Sequence, residues 1–143
     1  MTIILNGLAM EIHKNAVEHG WWEEERELPE ILMLCVSELA EALEEYRNGR
    51  PNIWFACIPT DVFAGCRNMA HCKSKKSNLG CVETSEDCRY KDKKPEGVAI
   101  ELADCIIRIL DYCGKAGIDI ENAIRIKHEY NKSRPYRHGG KKC

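Results

Sequence analysis

Cys35-Val36-Ser37-Glu38-Leu39-Ala40-Glu41-Ala42-Leu43-Glu44-Glu45-Tyr46 decides how this chain is read. The residues leading into it, Ile31-Leu32-Met33-Leu34-Cys35-Val36, are apolar on every side of a helix, the pattern of a buried helix rather than an amphipathic one. One turn later Glu38 and Glu41 leave the same helix at i,i+3 and so share a face. Carboxylates are rarely buried without a partner, so this pair on this helix asks for one.

The helix around that stretch is expected from Pro29, which suits a first turn, to Arg47, where Asn48-Gly49-Arg50-Pro51 stops it. Leu28, Leu32, Cys35, Leu39, Leu43 and Tyr46 are its expected core stripe. Upstream, Leu5, Leu8, Ala9, Ile12 and Ala16 follow helical spacing up to Gly20. Trp21-Trp22 comes next, and two adjacent tryptophans cannot share a helix face. One reading packs one indole on the core and lays the other over the turn; the sharper reading makes one a stacking wall for a nucleobase.

Downstream, residues 50–95 differ in kind, with little periodicity and Cys57, Cys66, Cys72, Cys81 and Cys88 at spacings C-x8-C-x5-C-x8-C-x6-C. So long a connection in a small domain reads as an insertion that needs its own support. A zinc site on some of these cysteines, with His71, is one candidate; disulfides and a thiol-rich loop are the others. Pro95-Glu96 then opens a third helix, which Gly114 and Gly117 end. Its apolar face is wide, and Glu101, Asp104, Arg108, Asp111 and Lys115 form one polar stripe. Asp119 caps a fourth helix, with Ile120, Ala123, Ile124 and Lys127 on one side, ending before Arg134-Pro135. No stretch shows strand-like alternation, so the fold class is all-α: a four-helix bundle in one domain, 1–143, with an irregular insertion between helices 2 and 3.

The bulk numbers narrow the classes. The 143 residues are 44% hydrophobic and 31% charged, without an apolar run near the ~18 residues of a membrane span. The first residues lack the basic start of a signal peptide, so the expected setting is soluble and cytoplasmic, with no membrane and no stable nucleic-acid partner. Net charge is −2, yet residues 1–48 carry eleven acids against three bases, and residues 125–143 carry seven bases against one acid. That asymmetry fits either two solvated faces of opposite sign, the reading charge alone favours, or an acidic region facing a cation and a basic end facing an anion. Of nine cysteines, Cys35, Cys105 and Cys113 lie in apolar helical context and read as small core residues.

The second acid pair carries the chemistry. Glu101 and Asp104 repeat the i,i+3 spacing of Glu38 and Glu41, and antiparallel packing would converge four carboxylates on one seam. Together they would repel and raise one another's pKa values, and a divalent cation removes that cost. All-oxygen ligation favours Mg²⁺ or Mn²⁺ over zinc. No Glu-x-x-His pair is present, so a ferritin-like di-iron site is excluded.

Glu38-x-x-Glu41 followed by Glu101-x-x-Asp104 resembles the metal-binding signature of the MazG-like, all-α nucleoside triphosphate pyrophosphohydrolases, a superfamily that includes dimeric dUTPases, dCTP pyrophosphatases and phosphoribosyl-ATP pyrophosphohydrolase. The run from Lys127 to Lys141 is similar to the ends of bacterial and phage members. Two features depart from the family: Ser37 stands where many members carry a further Glu, and the segment between the motifs is much longer. The resemblance implies a MazG-like bundle that hydrolyses an NTP or dNTP to the monophosphate and pyrophosphate. Glu38, Glu41, Glu101 and Asp104 would bind Mg²⁺ or Mn²⁺. Glu41, or else Glu44, would take the proton of the attacking water, with Glu38 beside it in the catalytic pair. Trp21 or Trp22 would stack on the base, and Lys127, Asn131 and Arg134 would hold phosphates. A homodimer or homotetramer is expected. The competing expectation is a non-catalytic helical binding module whose cysteine-rich, zinc-holding insertion docks a partner.

Overall fold

The computed structural model describes residues 4–55 and 94–136. Four helices carry the chain: α1 (Leu5–Glu18), α2 (Leu28–Arg47), α3 (Val98–Ala116) and α4 (Ile120–Ser133). Two short strands, β1 (Trp54–Phe55) and β2 (Pro95–Glu96), pair antiparallel, with Trp54 opposite Glu96 and Phe55 opposite Pro95. The mostly helical fold agrees with the sequence reading; this two-residue ladder was not anticipated, being too short to alternate. It also moves the start of α3, since Pro95-Glu96 is strand rather than first turn. Cys57, Cys66, His71, Cys72, Cys81 and Cys88 lie outside the described residues.

The chain divides into two compact units, one made of the residues up to Ile31 and from Ile107 onward, the other of Leu32–Ile106. In the first, Ala9, Leu110 and Cys113 form the buried core, with Leu8, Ile12 and Ile120 packed against it. Gly114 permits this packing: a Cβ there would stand 2.5 Å from the Ala9 carbonyl oxygen and 2.7 Å from His13 Cβ. The sequence suggested Gly114 as a helix end, but α3 runs through it to Ala116. We expect Gly114→Ala to cost about 2 kcal/mol in urea denaturation, because overpacking against backbone outweighs the gain in helix propensity. Asn6 fastens the start of α4, its amide donating to Asp119 Oδ1 at 2.8 Å while Asp119 caps the Asn122 N–H at 3.0 Å.

The second unit holds α2 beyond its first turn, the first half of α3 and the β1–β2 ladder. Trp54 is buried, its indole N–H donating to Glu45 Oε2 at 2.6 Å, with the Arg50 guanidinium 4.5 Å over the ring. Gly97 closes the ladder at φ 110°, where a Cβ would meet the carbonyl oxygens of Pro51 and Asn52 at 2.7 Å.

One expectation about α2 is overturned. Of its predicted core stripe only Cys35 is buried; Leu28, Leu32, Leu39 and Leu43 are exposed and Tyr46 is 73% exposed. The buried side chains are instead Ile31, Cys35, Glu38 and Ala42. A helix apolar on all sides carries no preference of its own, so the face that meets a neighbour becomes the inside. Cys35, Cys105 and Cys113 are buried and in no disulfide, as their apolar context implied, and the Cys35 thiol donates to the Cys105 carbonyl oxygen at 4.0 Å.

Candidate metal centre

The buried face of α2 brings Glu38 to the same place as Glu101 and Asp104 of α3, all within the second unit. One carboxylate oxygen from each lies within 4.8 Å of the others. Glu38 and Glu101 are only 6% and 4% exposed, and Asp104 is half-buried. Three acids at this spacing, two out of water, form an oxygen-only cluster suited to a hard divalent cation.

The electrostatics say the same. Burial pushes the Glu101 carboxyl up from 4.5 to about 7, and the negative charges of Glu41, Glu96 and Asp104 add to the rise. Lys94 opposes it. Its ammonium is 2.9 Å from Glu96 Oε1, and that hydrogen bond, with the fields of Glu96, Glu101 and Glu41, raises its own pKa. At neutral pH the cluster therefore holds a proton on Glu101 for much of the time, and a cation bound there would compete directly with that proton. Lys94 was missed by the sequence reading. It lies at the edge of the cysteine-rich segment, and only the β2 turn into α3 puts it near the acids.

Three of the four predicted metal ligands are thus together. Glu41 is exposed, and its Oε1 accepts a hydrogen bond from Ser37 Oγ at 3.3 Å. Ser37, one turn before it on α2, orients this carboxylate. Glu41 still acts on the cluster through its charge on Glu101.

The two tryptophans have separate duties. Trp22 is half-buried and donates its indole N–H to both oxygens of Asp111, at 3.0 and 3.1 Å. His13 Nδ1 contacts the same carboxylate at 2.7 Å, and Lys115 Nζ stands 4.1 Å from the centre of the Trp22 ring. Trp22 thereby ties the turn after α1 to α3. Trp21 is 51% exposed, flanked by the guanidinium carbons of Arg26 at 5.9 Å and Arg108 at 5.6 Å. Asp111 read from the sequence only as a member of a polar stripe; pairing with residues about ninety positions away gives no local signal.

Lys127 and Arg134 approach the Tyr130 ring on α4, and Asn131 shares their side of the helix, in the first unit. No helix among the described residues is long and apolar enough to cross a membrane. Compared with known proteins, the chain matches no family model, no curated protein and no solved structure.

Proposed function

We propose that this chain is a Mg²⁺- or Mn²⁺-dependent nucleoside triphosphate pyrophosphohydrolase, acting in the cytoplasm on an NTP or dNTP to give monophosphate and pyrophosphate. The observation that carries the reading is the convergence of Glu38, Glu101 and Asp104, two of them buried, on one spot between two helices. These three residues fit a hard cation and would hold it. When bound, such a cation withdraws charge from phosphate oxygens and acidifies a water. Glu41 lies outside the trio, exposed and oriented by Ser37, the placement expected of a carboxylate that takes a proton rather than binding metal. Trp22 is committed to Asp111 and Trp21 lies with it in the first unit, so the reading draws on neither indole. The reading does not draw on Lys127, Asn131 or Arg134, which lie in the first unit. The test is incubation of the pure protein with each NTP and dNTP plus Mg²⁺. Monophosphate and pyrophosphate in equal amounts are expected, and orthophosphate alone, or no turnover of any nucleotide, would refute the reading.

We also propose that the working form is a homo-oligomer built on the outward face of α2. Leu32, Val36, Leu39, Leu43 and Tyr46 recur at i, i+4, i+7, i+11 and i+14 and are all exposed. A continuous apolar stripe of this length is more than a monomer leaves in water. Leu39→Glu places a charge at its centre. It is expected to raise the dissociation constant by more than ~10²-fold, the loss of several kcal/mol of apolar burial. Sedimentation velocity across a dilution series reads the change, and a wild-type chain that is monomeric at all concentrations rejects the idea.

A further inference from the structure

The second half of α4 carries a face that the proposed reaction leaves unused. That face starts with Ile120, packed against the core of the first unit, and continues at helical spacing through Ala123, Ile124, Lys127, Tyr130, Asn131 and Arg134. From Ile120 to Ser133 no residue is buried, so the stripe outruns the core that seats its first turn. Along it the chemistry changes from aliphatic to cationic and aromatic. Tyr130 is 57% exposed, with Lys127 Nζ 5.0 Å and Arg134 Cζ 5.9 Å from its ring centre. Lys127 is on the helix, Arg134 is its half-buried C-cap in extended backbone, and both cations lie over the Tyr130 ring. The one acid between Lys127 and Arg134 is Glu129, and Lys132 holds it at 2.7 Å. The positive charge of the face is therefore left uncancelled by its own helix.

An apolar partner helix would strip water from two cations with nothing to pair them, and a second copy of the same face would set like charges together. A chain of phosphates bearing flat rings matches both halves of the pattern. Lysine and arginine take phosphates as point charge and fork, and an exposed tyrosine stacks on any base. We propose that Lys127, Tyr130 and Arg134 form a binding site for single-stranded nucleic acid, with one base on Tyr130 and the adjoining phosphates on the two cations. The sequence leads us to expect no stable nucleic-acid partner; the local arrangement on α4 supplies a salt-sensitive, sequence-tolerant one.

The test uses the full chain and a fluorescein-labelled single-stranded oligonucleotide of mixed sequence. Anisotropy should rise on binding, with affinity falling as salt is added. Tyr130→Ala should weaken binding about tenfold and Tyr130→Phe restore it, since the ring and not the hydroxyl stacks. Lys127→Ala should lower the slope of log affinity on log salt by ~0.7. Glu101→Gln should bind the oligonucleotide as the wild type does, so failure of the metal centre and failure of this site are told apart. The proposal is overturned by no binding at low salt, by tighter binding to a duplex of equal length, or by a Tyr130→Ala variant that binds unchanged. Binding to anionic phospholipid vesicles without binding to the oligonucleotide overturns it as well.

Discussion

Glu101→Gln should abolish nucleotide hydrolysis and at the same time make the metal-free protein more stable. Glu101 is the most buried of the three clustered acids, and its carboxyl is pushed up to about 7. Holding it ionised at pH 8 opposes folding by about 3 kcal/mol, the equivalent of the rise from 4.5. Glutamine keeps the shape and removes the charge, so apo melting at pH 8 should move up by several degrees. Activity should fall by at least ~10²-fold, since even residues that only support a metal ligand commonly cost 10–100-fold. Glu38→Gln and Asp104→Asn should share the loss of activity. Opposite movement of stability and activity is the signature of a site kept charged for function. If the variant is both less stable and fully active, the cluster is an ordinary part of the packing and the metal reading is wrong.

The same carboxyl predicts a pH-dependent response to Mg²⁺. Because its folded-state pKa is raised, Glu101 contributes stability that is fully present below about 4.5 and lost as pH rises through about 7. In chelator the protein should therefore melt higher at pH 5.5 than at pH 8. Asp119, whose hydrogen bonds from Asn6 and Asn122 lower its pKa, contributes in the opposite sense, but only below its ordinary value of 3.8, outside that window. On this reading Mg²⁺ should bind the ionised cluster and stabilise the fold by RT ln(1 + [Mg²⁺]/Kd). Its effect on melting should be large at pH 8, small at pH 5.5, and absent at both in Glu101→Gln. Scanning calorimetry at the two pH values, with and without Mg²⁺, measures all three. A Mg²⁺ shift of equal size at both pH values would mean that the cation binds elsewhere.

How far the sequence reached is clearest on α2. Its limits were legible because Pro29 and Asn48-Gly49 are backbone signals that act locally. The pairing of acids at i,i+3 was legible for the same reason: helical geometry places Glu101 and Asp104 on one side whatever surrounds them. The choice of inner face was not. Leu32, Leu39 and Leu43 are as apolar as Ile31 and Ala42, and nothing within twenty residues of helix ranks one stripe above the other. Only the residues of α3 facing it select the stripe containing Glu38, and that selection leaves Glu41 outside with Ser37.

Local sequence thus determined four helices, the buried thiols and the pairing of Glu101 with Asp104, since each follows from interactions within a few residues. Tertiary structure alone decided that three acids rather than four converge, that Trp22 belongs to Asp111, and that Gly114 is a point of contact rather than an end. Those outcomes depend on residues from about sixty to just over a hundred positions apart in the chain, and spacing along a single helix carries no information about what will lie across from it.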